Sequence, residues 1–326
     1  KNIMLAHEKQ IVEYEKTISQ LKEQNKKDST LWTKDEIENL ETKLEKLKKN
    51  ICSQLTPWER VTISRHPKRP KANDYIRNLT EKFIELHGDR AFGDDPAIIC
   101  GLAKIDGVNF VVIAQEKGHD TESRLHRNFG MPHPEGYRKA LRYMRLAAKF
   151  HLPILCLIDT PGAYPGLAAE ERGQGWAIAQ NLFEMSRLPT PIIAILIGEG
   201  CSGGALGIGV ADVIGMLEHS YYSVISPEAG SSILWKDTNQ NETAAKALRM
   251  HVEDLLKFKI VDAKIEEPLG GAHHDPSFIY AQVKRYVLEQ YNRLTRIDPD
   301  VLVEQRYQKY RQIGKFLVED TGLPQE

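Results

Sequence analysis

Two runs, Pro153–Ile158 (PILCLI) and Ile192–Ile197 (IIAILI), are apolar at almost every position. A strand with one wet face alternates apolar and polar residues. A run that never alternates must be covered on both faces, which commits the chain to a sheet packed between helical layers. The intervening segments agree. Tyr137–Phe150 and Ala169–Arg187 carry apolar residues at helical spacing, and Ser202–Val210 opens a further helix. Upstream, Ile98–Ile105 and Val108–Ala114 flank Asp106-Gly107, a hairpin signal. The chain has 326 residues, enough for one large α/β domain with an appendage.

The ends read differently. Ile11, Tyr14, Ile18 and Leu21 are spaced three, four, three, and Ile37, Leu40, Leu44, Leu47 and Ile51 repeat the pattern after a polar turn. That is the apolar seam of two helices, with Thr33 and Glu36 placed as a capping box, so residues 1–55 are expected to form a helical hairpin. Residues 56–95 are expected to hold a basic linker and connecting helices. The stretch Arg65-His66-Pro67-Lys68-Arg69-Pro70-Lys71 reads as a solvated connector, since it has no aromatic residue to stack on a base. Residues 96–326 are expected to form the main domain, ending from Pro276 in two amphipathic helices.

A formal net charge of −1 leaves no global field to gather nucleic acid or anionic lipid. Cys52, Cys100, Cys156 and Cys201 show no CxxC spacing and no adjacent histidine cluster, so no metal site is expected on this chain. Cys100 and Cys156 lie in apolar runs and should pack as small hydrophobes, in keeping with a reducing cytoplasm. No charged segment followed by an apolar one opens the sequence. The longest apolar stretch, Cys201–Leu217, is glycine-rich, carries Asp212 and is too short and polar to span a bilayer.

Each of the two apolar strands leads into a loop of small residues. The first is Asp159-Thr-Pro-Gly-Ala-Tyr-Pro-Gly166. The second is Gly198-Glu-Gly-Cys-Ser-Gly-Gly-Ala205, running into a helix. Small residues let the main chain approach a ligand closely, and the free amides of a helix start carry partial positive charge. Such a place holds a phosphate, a carboxylate or an oxyanion. The second loop fits three patterns. Gly198, Gly200 and Gly203 spell GxGxxG, with Glu218 where a ribose-binding acid would stand, which makes a dinucleotide enzyme. Gly200, Ser202 and Gly204 spell GxSxG, a nucleophile elbow with Ser202 as nucleophile and Asp262 and His273 downstream, which makes a serine hydrolase. The third pattern is an oxyanion hole without a side-chain nucleophile. The first loop favours the third, because two loops can deliver two amides to one oxygen.

Six stretches then carry a specific resemblance: Arg127–Leu141 (RNFGMPHPEGYRKAL), Ile158–Gly166 (IDTPGAYPG), Glu170–Gln174 (EERGQ), Gly203–Ala205 (GGA), Ser223–Glu228 (SVISPE) and Glu267–His273 (EPLGGAH). In this order they resemble the alpha subunits of bacterial acetyl-CoA carboxylase carboxyltransferases, over nearly the whole chain. The resemblance implies a crotonase-like (ClpP/crotonase) α/β fold, a spiral of ββα units with the helical hairpin before it and helices after it. It implies transfer of carboxyl from carboxybiotin to acetyl-CoA, forming malonyl-CoA for fatty acid synthesis. It also implies partners: a beta subunit with a zinc ribbon in an α2β2 heterotetramer, a biotin carboxyl carrier protein that brings carboxybiotin, and a biotin carboxylase that spends the ATP. No cofactor is then expected on this chain, and its lack of CxxC pairs and of a Met-Lys-Met biotinylation site fits that division.

By match to the family's loops, backbone amides at Gly162 or Ala163 and at Gly203 or Gly204 are the implied oxyanion donors. Tyr164, Ser202, Ala205, Arg138 and Glu228 fall on the implied substrate side. Arg138 and Lys139 otherwise suit a solvated helix face. Glu228 and Ser226 otherwise suit a helix cap, and His273 and His274 suit a loop. Position 201 departs from the family, which usually has glycine there. If that residue takes positive φ, Cys201 is strained. The Ala229-Gly230-Ser231 stretch departs as well.

Overall fold

The computed structural model describes residues 16–24, 34–237 and 239–314. Its centre is one sheet of eight strands: β1 (Lys82–Leu86), β2 (Ile98–Ile105), β3 (Val108–Gln115), β4 (Ile154–Thr160), β5 (Ile192–Cys201), β6 (Val213–Leu217), β7 (Tyr221–Ser223) and β8 (Ala263–Ile265). The spatial order is β1-β2-β3-β4-β5-β6-β8, with β7 paired to β5. Asp106 and Gly107 take φ of 50° and 80°, as a two-residue primed turn requires, and they fold β2 against β3 in antiparallel register. From β3 onward all pairs are parallel, so the intervening chain must cross over and cover the faces. The fifth strand changes partner along its length. Ile193–Leu196 pair with β6, whereas Glu199, Gly200 and Cys201 pair with β7.

The period of two sorts β4 between two cores. Ile154, Cys156 and Ile158 pack with Tyr137 and Met144 of the helix Pro134–Lys149 and with Ala177 and Met185 of the helix Gln174–Met185. Leu155 and Leu157 pack with Tyr75 of the helix Ala72–Leu79 and with Ile279 and Val283 of the helix Pro276–Leu294. Each such buried aliphatic side chain contributes about 1.5–3 kcal/mol, and Cys100 and Cys156 take their expected place among them. The C-terminal helices Pro276–Leu294 and Pro299–Arg311 start at Asp275 and Asp298, whose carboxylates cap first-turn amides.

Several elements differ from the sequence expectation. The helix expected over Ala169–Arg187 is two helices, Leu167–Glu171 and Gln174–Met185, divided where Gly173 takes a φ of 80°. The helix opened at Ser202 closes at Leu206, and β5 runs on to Cys201. The N-terminal helices 16–24 and Lys34–Ser53 are joined across their faces by the Lys22–Glu41 ion pair. Ile18 is buried there, while Ile11, Tyr14 and Thr33, and with Thr33 the expected capping box, lie outside the described residues.

The basic stretch is the largest departure. Arg69 is 0% exposed and Lys71 6%. Arg69 donates from Nε to Ile197 O (2.9 Å) and grips Glu267 with both terminal nitrogens (2.8 and 2.6 Å). Arg65 and Arg69 turn inward because the buried carboxylates of Glu199 and Glu267 need counter-charge there, while Lys68 stays exposed.

Candidate active site

The two small-residue loops meet. Gly204 lies so close to the first loop that a Cβ on it would stand 2.4 Å from the Gly162 carbonyl carbon and 2.6 Å from Ala163 N. Only glycine permits that approach. Gly162 has a φ of 147°, which also restricts its position to glycine. Its own amide donates to Thr160 Oγ1 (3.1 Å), whose hydroxyl donates back to Gly162 O (2.7 Å). The amides of Ala163, Gly203 and Gly204 find no acceptor among the described residues. In the first loop the available donor is therefore Ala163. In the second, Gly203 and Gly204 are first-turn positions of the helix Ser202–Leu206, where the ladder leaves N–H groups free.

The other residues singled out in the sequence divide between loop and scaffold. Tyr164 donates its amide to Pro132 O (3.0 Å), and its ring lies against His133 at a centroid distance of 4.0 Å. Ser202 is exposed and takes a φ of 54°. Cys201 instead is extended, with φ −108°, so the expected strain falls one residue later. Burial pushes the Cys201 thiol up to about 11, and it is no thiolate nucleophile. The Ala205 side chain belongs to the core, which leaves the main chain as its means of meeting a ligand. Arg138 is not a solvated helix residue: its Nε pairs with Asp89 (2.7 Å) and a terminal nitrogen donates to Arg172 O (3.1 Å). Lys139 is buried against Asp94 (2.6 Å) and Asp95 O (2.7 Å). Ser226 caps the helix Pro227–Trp235, and Glu228 in its first turn pairs with Arg65. His273 stacks on His66 with centroids 3.8 Å apart.

Beneath the loops lies an ionic cluster that the sequence did not reveal. Lys117 Nζ pairs with Asp159 Oδ1 (2.6 Å) and with Glu199. Glu199 also accepts from Arg65 Nε (2.6 Å) and Tyr221 OH (2.5 Å). Burial would push the Glu199 carboxyl up, but Lys117 and Arg65 outweigh it and hold the carboxyl well below the usual range. Burial likewise works against the Lys117 ammonium, and the facing carboxylates keep it charged. The signal available in the sequence was the single Asp or Glu interrupting each apolar strand end, Asp159 and Glu199. Such groups persist in a core only when paired.

The competing patterns of the second loop do not assemble. Gly198 and Gly200 are strand residues of β5, with Gly198 pressed against the Asp159 carboxylate, so GxGxxG makes no phosphate turn. Glu218 accepts from Glu267 N (3.2 Å) and Lys264 (3.5 Å). Asp262 accepts from Ile214 N (2.6 Å) and Lys309 (2.5 Å). Ile214 pairs with Ala194 near the start of β5, whereas Ser202 follows the other end, about 25 Å away at ~3.3 Å per residue. No catalytic triad forms.

The sheet with paired small-residue loops at the ends of its parallel strands is a crotonase-like fold, which solved structures share. Transcarboxylase 12S, with methylmalonyl-coenzyme A and methylmalonic acid bound, aligns at a TM-score of 0.54 and 15% identity, over 78% of this chain and 44% of its own. The Pseudomonas malonate decarboxylase hetero-tetramer in complex with coenzyme A aligns at 0.56 and 16%, over 71% of this chain and 90% of its own. Residues 4–314 match the family described as acetyl co-enzyme A carboxylase carboxyltransferase-like. The acetyl-coenzyme A carboxylase carboxyl transferase subunit alpha of Chlamydia caviae is 60% identical over 322 residues, 99% of each chain. That of Protochlamydia amoebophila is 62% identical over 314 residues, 96% of this chain and 99% of its own. The chain belongs to the family of acetyl-CoA carboxylase carboxyltransferase alpha subunits. It is a carboxyltransferase subunit, and as an alpha subunit it acts with partner chains.

Proposed function

We propose that this chain, joined to a beta subunit in an α2β2 assembly, transfers carboxyl from carboxybiotin to acetyl-CoA, and that its two loops stabilise the biotin side of the reaction. The observation that carries the reading is the contact of Gly204 with Gly162-Ala163, which gathers the acceptor-less amides of Ala163, Gly203 and Gly204 at one place. Carboxybiotin, brought by a biotin carboxyl carrier protein after an ATP-dependent biotin carboxylase has charged it, supplies the carboxyl group and then a nitrogen able to accept a proton from acetyl-CoA. Ala163 N–H and the first-turn N–H groups of Gly203 and Gly204 donate to the ureido oxygen as it gains charge. They favour the transition state over the ground state because they are fixed before the charge develops. Gly162 shapes the loop that presents Ala163, and Tyr164 braces it through Pro132 and His133.

In this reading exposed Ser202 and partly exposed Glu228 meet substrate, while Arg138 and Ala205 act from within the scaffold. Among the described residues no helix is long and apolar enough to cross a membrane. Leu167, Trp176, Ile233 and Leu234 are large apolar side chains at least 68% exposed. They suit burial under a partner subunit, and the zinc ribbon belongs to that partner.

The test is Gly204→Ala in the reconstituted complex. Its methyl must push the loops apart, and a displacement of about 1 Å costs about a hundredfold in kcat. A folded, assembled Gly204→Ala enzyme with near-parental kcat removes the loops from the reaction. The chain without its partner should form no malonyl-CoA.

A further inference from the structure

We propose that Gln115 and Lys117 are positioning residues which fix the separation of the two amide loops. The inference rests on the functional reading above. Gln115 is the last residue of β3 and fully buried. Its Oε1 accepts from Asp159 N (3.2 Å), and its Nε2 donates to Gly204 O (2.7 Å). No other orientation of the amide satisfies both partners, since one is a donor and the other an acceptor. Lys117 bridges the ends of β4 and β5 through their carboxylates, Asp159 at 2.6 Å and Glu199. Asp159 leads into Thr160-Pro161-Gly162, and Glu199 leads into Cys201-Ser202-Gly203.

One short segment at the end of β3 therefore ties the first loop to the second twice, once through main-chain groups and once through side chains. A third tie runs directly between them, from Glu199 N to Asp159 Oδ1 (2.9 Å). The Lys117 stem is itself held, because a Cβ on Gly130 would lie 2.6 Å from its Cγ. Tyr137 OH donates to the same Gly204 carbonyl (3.3 Å), so the peptide following Gly204 is held from two sides. These side chains engage loop and scaffold groups and leave the amides of Ala163, Gly203 and Gly204 to the substrate. They act through the loops they align.

The experiment is a kinetic comparison of Gln115→Met, Lys117→Met and Lys117→Arg in the alpha subunit assembled with its partner, carboxybiotin and acetyl-CoA both varied. Gln115→Met keeps the volume and removes both ties, and kcat should fall by about tenfold to a hundredfold with both KM values within about threefold. Lys117→Met should lose at least as much, and Lys117→Arg should recover part of it by keeping the cation between the carboxylates. A purely structural role would lower thermal stability and leave the kcat of the assembled enzyme alone. A folded, assembled Gln115→Met enzyme with kcat within about twofold of the parent, or with its loss confined to KM, overturns the inference. If Lys117→Met fails to fold, Gln115→Met decides. Should Gly204→Ala abolish transfer while Gln115→Met retains it, the loops keep their role and the positioning idea alone falls.

Discussion

Buried charge stands at both ends of the parallel strands, and the two ends handle it differently. At the end where the strands begin, Arg306 is 1% exposed and every donor has an acceptor. Nε and one terminal nitrogen grip Asp212 (both 2.8 Å), and the remaining bonds go to Met185 O (2.6 Å), Leu188 O (2.9 Å) and Thr190 O (2.9 Å). At the end where they finish, Arg65, Arg69, Lys71 and Lys117 crowd with Glu116, Asp159, Glu199 and Glu267. There Glu116 is taken by the amides of Asn73 and Gly118, and the Lys71 ammonium, unlike its backbone amide, has neither hydrogen bond nor ion pair among the described residues. A saturated pair fastens the C-terminal helix to the start of the strands. An unevenly satisfied cluster sits where loops must be held against each other. Local rules are broken where a protein has a site to build.

The comparison breaks most readily at the saturated end. Arg306→Met should destabilise the chain by about 3–5 kcal/mol by stranding Asp212, while the folded fraction keeps its kcat. Chemical denaturation and single-turnover rates on the same sample check both halves, and a lost kcat would abolish the distinction.

Acid should act at the other end. Burial alone would push the Glu267 carboxyl up, and Arg69 overrides it and holds the group at about 2. A carboxyl depressed in the folded state contributes stability that is full above its unfolded value of about 4.3 and is lost as pH falls toward the folded value, here about 2–3 kcal/mol. Glu267→Gln should flatten that fall in unfolding free energy between about pH 4.3 and 2. An unchanged slope would show that Glu267 is not held by Arg69.

Lys71 sharpens the contrast with a smaller effect of opposite sign. Burial lowers its ammonium below the usual range, partly countered by Asp159. An amine depressed in the folded state destabilises in full below its folded value, and the effect disappears as pH rises to about 10.4. Lys71→Met should therefore raise stability at neutral pH, by about 1 kcal/mol, and weaken the rise in stability toward alkaline pH. A clear loss of stability would mean that Lys71 has found a partner in solution. The smallest effect belongs to Ser202→Gly, which relieves a left-handed residue by about 1–2 kcal/mol but returns about 0.5–1 kcal/mol of it as backbone entropy. It should leave transfer intact, and an abolished kcat would return Ser202 to the chemistry.

The layered fold was readable because β4 and β5 are apolar at nearly every position and because Asp106-Gly107 is a turn that few other sequences make. The two loops were readable as a pair from their glycines. Which amide is free was not, since that depends on the Thr160 hydroxyl claiming Gly162 N. The segment Arg65–Lys71 looked like a solvated linker because charge and proline are the usual marks of one. What turned it inward are Glu199 and Glu267, remote in sequence, and no local pattern announces partners at that distance. The edge strand β1 (KFIEL) was missed for a related reason. Its burial is only partial at Phe83 and Leu86, and its charges read as linker.

The clearance between Gly204 and Gly162 also limits how such a chain can drift. Gly204 cannot gain a side chain without moving the first loop, and Gly162, which has open space around it, is held to glycine by its φ of 147°, so both positions are closed to gradual substitution and their spacing can change only from behind. Position 201 is under no such limit. Its side chain turns away from the gap to meet Tyr221, with Cys201 Sγ 3.5 Å from the phenol oxygen, and its backbone is extended. A cysteine can stand there because the tolerance of this loop is a matter of direction, and this side chain faces the wall.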